Sequence, residues 1–133
     1  MSRETSPTMT EGSSKSWLPI EDPEQAEGYI KAKVLFPASS QWFRGHFPIQ
    51  PILPGVAVLA AAVEPLLMAA RAKGRSLEIL GFSKVRIRRL TLPGDALYIS
   101  IKDMPALKEA KLGFQVTWGG ERVCPGIVHM AEK

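Results

Sequence analysis

The stretch FRGHFPIQPILPGVAVLAAAVE, residues 43–64, contains a proline-rich loop and the start of the helix around which the chain is expected to fold. The loop frames His46 with glycine and proline, which predicts an ordered segment that fixes the imidazole ring. From Val56 to about Lys73 the composition is rich in alanine and leucine, and a glycine then provides a stop. The interior proline, Pro65, predicts a bend in this helix and not its end.

Segments with alternating apolar residues flank this core. One precedes the loop and four follow the helix, at residues 29–36, 76–90, 95–104, 109–118 and 121–131. The pair Gly119–Gly120 suits a tight hairpin between the last two segments. An 18-residue helix is about 27 Å long, which suits a curled antiparallel β-sheet wrapped around one central α-helix. The predicted fold class is therefore α+β.

Domain organisation follows from the same patterns. Residues 1–28 are predicted to be a flexible N-terminal tail, since their first half has almost nothing to bury, and residues 29–133 to form a single domain. A small sheet on one helix leaves strand edges free, which predicts a dimer, formed either edge to edge or helix to helix.

Composition excludes several classes of protein. The net charge of +4 is too small to indicate nucleic-acid binding, although it is compatible with an acidic protein partner. A single cysteine, Cys124, cannot form an internal disulfide, which predicts a cytoplasmic protein, and we interpret it as a small strand residue. The apolar run 52–70 is interrupted by proline, glycine and glutamate, so we expect a buried helix and not a membrane span.

The residues themselves suggest chemistry at the junction of loop and helix. Gly55 stands in the first turn of the predicted helix, where backbone N–H groups are unpaired and the helix dipole is positive. A carbonyl oxygen bound there is polarised, so the adjacent α-proton becomes more acidic. His46 has an imidazole suited to moving that proton near neutral pH. No metal-ligand spacing or cofactor-binding fingerprint accompanies these residues, so we expect neither a metal nor a cofactor.

Two motifs carry a family resemblance. The stretches GHFPIQPILPGV (45–56) and KVRIRRLTLPGDAL (84–97) resemble the 3-hydroxyacyl-acyl carrier protein dehydratases, whose first motif is G-H-F-P-x-x-P-x-M-P-G-V. The variant LPGVA is similar to the dehydratase-like branch of aryl polyene and other specialised lipid pathways. The resemblance covers about residues 29–133 and implies the hotdog fold. It also implies a lyase that removes water from a 3-hydroxyacyl thioester to give a trans-2-enoyl product.

The same resemblance implies roles for particular residues. His46 corresponds to the base and the Gly55 N–H to the carbonyl-binding group, and Phe47 and Val56 are the candidate apolar contacts of the substrate. The implied substrate is bound to an acyl carrier protein or to coenzyme A. The implied assembly is a homodimer, or a heterodimer with another hotdog subunit.

The chain departs from the family pattern at the catalytic acid. In the family a Glu or Asp lies fourteen residues after the histidine, and Ala60 occupies that position here. Glu64 lies on the same helix face about 6 Å further along. Three accounts stay open. Glu64 is the acid, or His46 alone serves as both base and acid. In the third account the subunit binds acyl chains without turning them over, or completes a heterodimer whose partner supplies the acid. A thioesterase on the same fold is a further alternative.

A run of basic residues is the remaining candidate site. Lys84, Arg86 and Arg88, together with Arg89, are predicted to lie on a strand where alternate residues share a face. In the resembling enzymes a basic surface near the tunnel mouth receives the acidic carrier protein. Lys84, Arg86 and Arg88 are therefore the candidate carrier-docking residues.

Overall fold

The computed structural model describes residues 20–21, 23–37 and 53–133, which form one helix and six strands. These are β1 Glu24–Ala26, β2 Tyr29–Leu35, α1 Gly55–Ala72, β3 Leu77–Ser83, β4 Ala96–Lys102, β5 Glu109–Trp118 and β6 Glu121–Glu132. The strands make one antiparallel sheet in the order β1-β2-β4-β5-β6-β3. The helix packs on β2, β4 and β5. The predicted α+β architecture, one helix against an antiparallel sheet, is confirmed.

Helix α1 matches its predicted bounds to within one residue. Pro54 precedes it in an extended conformation, with ψ of 147°. After Ala72 the chain leaves the helix at Gly74, whose φ of +75° is strained for any residue with a Cβ. The helix continues through Pro65. The predicted bend at that residue stays a prediction.

The core lies between the small side chains of α1 and one face of the sheet. The buried face of the helix includes Ala57, Ala61 and Ala62, all fully inaccessible to solvent. Strands β4 and β5 contribute alternating buried residues to the other side, namely Leu97, Ile99, Ile101, Leu112, Phe114 and Val116. Because alanine projects so little, the sheet can approach the helix closely, and the larger residues on the strands fill the layer.

Two hairpins use glycine in the left-handed region. Gly119 and Gly120, with φ of 56° and 84°, join β5 to β6 as a two-residue turn, which confirms the predicted hairpin. Glu27 and Gly28, with φ of 52° and 84°, join β1 to β2 in the same way. Strand β1 lies inside the segment 1–28 predicted to be a tail. Its sequence, EQA, has no apolar alternation, so only the backbone pairing with β2 makes it a strand.

The predicted strand 76–90 is shorter than expected, which corrects the placement of the basic residues. β3 ends at Ser83, because Lys84 adopts a left-handed conformation with φ of 54° that interrupts the ladder. The following segment still runs beside β6, since the Arg86 and Arg88 N–H groups donate to the carbonyls of Pro125 and Val123 at 3.2 and 2.8 Å. Lys84, Arg86 and Arg88 thus lie in an irregular extended segment and not on a regular strand.

Strand β3 has a free edge in the part of the chain that the structure describes. It pairs with β6 on one side only, and its apolar residues Ile79, Leu80 and Phe82 are 38–46% exposed. An open edge with exposed apolar side chains favours pairing with a second chain. The predicted dimer stays a prediction.

By length and composition, α1 would also be able to cross a membrane. Its mean hydropathy is 1.6, and half of its residues are buried within the protein. The apolar character of this helix is explained by its place in the core, where it packs on three strands of the sheet.

Gly126 is the glycine of β6 whose replacement the packing opposes. A Cβ at this position would lie 2.5 Å from Cζ of Phe114, which is buried, and 3.0 Å from Val85. We expect Gly126→Ala to lower the free energy of unfolding by about 1–3 kcal/mol, as overpacking does. Urea denaturation measures the change.

The matched control is Gly113→Ala on the neighbouring strand β5, where no described residue lies within 4 Å of the added carbon. The free energy of unfolding of this variant is expected to rise by roughly 0.4–1 kcal/mol, because alanine reduces the entropy of the unfolded chain. Equal stability of the two variants would contradict the packing described for Phe114.

Candidate active site

The first turn of α1 is open to a ligand. Ala57 and Val58 both donate to the Pro54 carbonyl, at 3.0 and 3.3 Å, so the N–H groups of Gly55 and Val56 have no partner within the helix. No acidic residue occupies this turn, and Pro54 provides no side-chain cap, so neither Pro54 nor the turn itself neutralises the positive end of the helix dipole.

Space around the first turn matches this electrostatic character. Gly55 is exposed, and no described residue lies within 4 Å of the position that a Cβ would occupy. Val56 is 65% exposed although it is apolar. A carbonyl group can therefore approach the described part of the helix start with an apolar side chain beside it. The substrate-binding roles of Gly55 and Val56 stay predictions.

A turn at residues 91–94 holds the chain on both sides of the histidine-bearing segment. The Gly94 N–H donates to the Phe36 carbonyl at 2.9 Å, and the Leu53 N–H donates to the Thr91 carbonyl at 2.8 Å. Segment 38–52, which includes His46 and Phe47, lies outside the described residues. Phe36 and Leu53, which lie on the two sides of this segment, are thus both bound to the turn at residues 91–94.

Glu64 is a buried carboxylate with an identified partner. It is 9% exposed, and its Oε2 accepts a hydrogen bond from Nη2 of Arg71 at 2.7 Å, two helical turns further along. Glu64 follows Gly55 by nine residues, which is about 13 Å along the helix axis. This separation is more than twice the length of a glutamate side chain. The carboxylate therefore does not reach a carbonyl bound at Gly55 of the same subunit.

The position of the missing family acid is accessible. Ala60 is partly exposed, one turn before Glu64, and its methyl group has no proton to give. The pairing of Glu64 with Arg71 was not among the predictions from the sequence. The signal was present, since a spacing of seven residues places two side chains on one helix face.

The basic run separates into two environments. Lys84, Arg86 and Arg88 are exposed, as a docking surface requires. Arg89 differs, because it forms an ion pair with Asp95 at 2.9 Å and stacks on Trp118. Asp95 also accepts the Leu92 N–H at 2.9 Å and thereby takes part in a turn.

The other reactive side chains of the described residues have structural surroundings. Cys124 is buried in β6, and burial raises the pKa of its thiol, which disfavours the nucleophilic thiolate. His129 lies 3.2 Å from a carboxylate oxygen of Glu109 and is partly exposed. Over residues 20–21, 23–37 and 53–133, no three His, Cys, Asp or Glu side chains cluster as metal ligands.

Comparisons with known proteins identify the family. A family model described as ApeI-like, ApeI dehydratase, matches residues 22–127. The chain belongs to the ApeI-like dehydratase family. A curated relative from Caldicellulosiruptor bescii, the 3-hydroxyacyl-[acyl-carrier-protein] dehydratase FabZ, is 30% identical over 123 residues, covering 87% of this chain and 84% of that protein. This confirms the resemblance to the 3-hydroxyacyl-acyl carrier protein dehydratases.

Solved structures place this ApeI-like protein in the hotdog fold. The dehydratase heterocomplex ApeI:P from Xenorhabdus doucetiae contains a similar chain, with 25% identity and a TM-score of 0.64 over 84% of this chain and 96% of that one. A hypothetical thioesterase from Streptococcus pneumoniae, solved with coenzyme A, has a TM-score of 0.63 at 14% identity, covering 86% of each chain. The second likeness concerns the fold alone. The predicted hotdog fold is confirmed.

Proposed function

We propose that this ApeI-like protein is a subunit of a 3-hydroxyacyl-thioester dehydratase whose substrate is bound to an acyl carrier protein. The observation that carries the proposal is the exposed, uncapped start of α1 at Gly55, which lies at the end of the motif GHFPIQPILPGV. Family membership supports the reaction class, and the name of the Caldicellulosiruptor relative supports the carrier-bound substrate.

The proposed reaction removes one water without a cofactor. The thioester carbonyl oxygen accepts a hydrogen bond from the Gly55 N–H, which stabilises the negative charge that develops when the α-proton leaves. His46 takes this proton as general base. The β-hydroxyl then departs with a donated proton as water, and a trans-2-enoyl thioester remains. Phe47 and Val56 contact the acyl chain.

The donor of the second proton is the open step of this scheme. Glu64 is the candidate acid. It lies about 13 Å along the helix axis from Gly55, which favours action on a substrate held by a second subunit. Its Oε2 accepts a hydrogen bond from Arg71, so proton donation has to use Oε1 or follow the opening of the ion pair. If Glu64 is not the donor, His46 returns the proton itself.

A second candidate function is favoured by Ala60. The chain then binds acyl groups and provides His46 and Gly55, while another hotdog subunit provides the acid across the interface. The similar chain from Xenorhabdus doucetiae comes from a structure described as a dehydratase heterocomplex, which supports this alternative. The free edge of β3 is the proposed contact in either dimer.

Carrier docking and location complete the proposal. Lys84, Arg86 and Arg88 form an exposed basic segment beside β6, which suits an acidic carrier protein. The protein acts in the cytoplasm, where reduced cysteine is stable. Coenzyme A thioesters are the alternative substrates.

Dehydration is the direct test. Purified protein with 3-hydroxyacyl-carrier substrates of several chain lengths is expected to give the enoyl product, lighter by one water in mass spectrometry. His46→Ala should lower kcat about 100- to 10,000-fold, the usual contribution of a general base. His129→Ala is the matched control, because it removes the only other histidine of the chain, and it should leave kcat unchanged. Release of free thiol without an enoyl product would identify a thioesterase instead.

The two candidate functions differ in the source of the acid. If Glu64 is the acid, Glu64→Gln should lower kcat of the homodimer about 100-fold or more. Arg71→Gln removes the same ion pair but keeps the carboxylate, so it should retain most activity. Equal losses in both variants would show that the ion pair matters for structure and that Glu64 is not the donor.

If a partner provides the acid, the homodimer is silent and becomes active when the partner hotdog subunit is added. Ala60→Glu should then create activity in the homodimer. A variant that binds the substrate but remains inactive would exclude the missing acid as the cause.

Docking is tested by removing charge. The triple variant of Lys84, Arg86 and Arg88 to alanine should raise KM for the carrier-bound substrate roughly 3- to 100-fold, the effect of three exposed ion pairs. Its KM should also depend less on salt than that of the unmodified protein. Removing the exposed cations Lys31, Lys102 and Lys111 instead changes the net charge equally, and KM should remain within about twofold if docking depends on local contacts. Equal effects in the two triple variants would contradict a localised docking site.

A further inference from the structure

Arg89 connects the β5–β6 hairpin to the motif that follows β3. Its Nη1 donates to Oδ2 of Asp95 at 2.9 Å and to the Leu90 carbonyl at 3.0 Å. Its guanidinium lies 3.7 Å from the ring centroid of Trp118, and its Nε is 3.9 Å from Oε1 of Glu121. The side chain is 23% exposed, so these contacts are largely shielded from water.

The Asp95 carboxylate connects Arg89 to the backbone of the turn at residues 91–94. The same oxygen, Oδ2, accepts the Arg89 guanidinium and the Leu92 N–H, each at 2.9 Å. The Asp95 N–H donates in turn to the Leu92 carbonyl at 3.1 Å. Gly94 completes the turn with φ of 89°. Arg89 therefore restrains the Asp95 carboxylate, and this carboxylate holds the Leu92 N–H of the turn.

This turn holds the two flanks of the proposed catalytic segment. Gly94 donates to the Phe36 carbonyl, and Thr91 accepts the Leu53 N–H, which lies two residues before Gly55. Leu53 is 3% exposed and Phe36 is fully buried, so both attachments are made inside the protein. We therefore expect a displacement of this turn to shift Phe36 together with Leu53, which lies two residues before α1.

We propose that Arg89 is a positioning residue: it holds the turn at residues 91–94, which binds Phe36 and Leu53 on the two sides of segment 38–52 and thereby restrains the start of α1. This inference rests on the proposed function for its effect on the reaction. Displacements of about 1 Å between reacting groups can lower a rate about 100-fold. Arg89 is thereby separated from Lys84, Arg86 and Arg88, which have no such inward contacts among the described residues and stay available for docking.

The chemistry of the contacts requires arginine. A planar guanidinium can stack on the indole of Trp118 while its edge donates to Asp95 and to a backbone carbonyl. A lysine ammonium keeps the charge but cannot make the stacked and the forked contacts together. Arg89→Lys is thus a partial replacement, and Arg89→Gln removes the charge while it keeps a planar polar group.

Amide hydrogen exchange measured by NMR tests the attachment directly. In Arg89→Gln, the amides of Leu53 and Gly94 should exchange about tenfold faster, since their hydrogen bonds open locally. The amide of Ile99, on the central strand β4, reports global stability and should change less than about twofold. Arg122→Gln, which removes an exposed arginine from the same hairpin, should leave all three amides unchanged.

Steady-state kinetics test the catalytic consequence. Arg89→Gln should lower kcat about 10- to 100-fold with KM within about twofold, because geometry and not affinity is lost. Arg89→Lys should lie between this variant and the unmodified protein. If Arg89→Gln does not fold, Asp95→Asn replaces it, since the amide oxygen still accepts the Leu92 N–H while the ion pair is lost.

Three results would overturn the inference. Unchanged amide exchange at Leu53 and Gly94 in a folded variant would show that Arg89 does not hold the turn at residues 91–94. Equal acceleration at Ile99 shows a global loss of stability. Faster exchange at the two flanks with unchanged kcat shows that their position does not matter for the reaction. If the unmodified protein and its partner complex do not dehydrate any substrate, the proposed function is wrong, and exchange alone decides whether Arg89 holds the turn.

Discussion

The close contact between the alanine-rich face of α1 and the inner face of the sheet is the constraint on which this protein depends. Ala57, Ala61 and Ala62 have no exposed surface and bring the helix backbone near β2, β4 and β5. A larger side chain at these positions would force the layers apart, since a close-packed core has little room to adjust. The position of the helix in turn determines where its first turn, with Gly55, opens to solvent.

The second motif of the sequence forms a turn that binds two other segments of the chain. LTLPGD, residues 90–95, gives a turn that binds the end of β2 through Gly94 and the start of α1 through Thr91. Two segments far apart in the sequence are thereby held at one place. The motif containing the histidine and the motif containing Asp95 are thus joined by a hydrogen bond between Leu53 and Thr91. This link explains why two separated stretches together carry the family resemblance.

The chain provides a helix start that can bind an oxyanion, but it has alanine at the position where the family has an acid. A helix start with unpaired N–H groups can stabilise a developing oxyanion, and this feature is present at Gly55. Donation of a proton to the leaving hydroxyl needs an acid, and Ala60 provides none. Glu64 is buried and bound to Arg71, so its carboxylate is stabilised inside the protein whether or not it takes part in the reaction.

Local patterns in the sequence determined the helix from residue 55 to 72, the strands after it and the Gly119–Gly120 hairpin, because periodicity and turn chemistry act over a few residues. The motifs also gave the family. Tertiary structure alone decided that EQA forms strand β1, that Lys84 ends β3, and that Arg89 turns inward to Asp95 while its neighbours remain exposed. Strand β1 depends on its backbone pairing with β2, and the inward position of Arg89 depends on Trp118 and Glu121 of another hairpin. The residue types within a short segment do not record such partners.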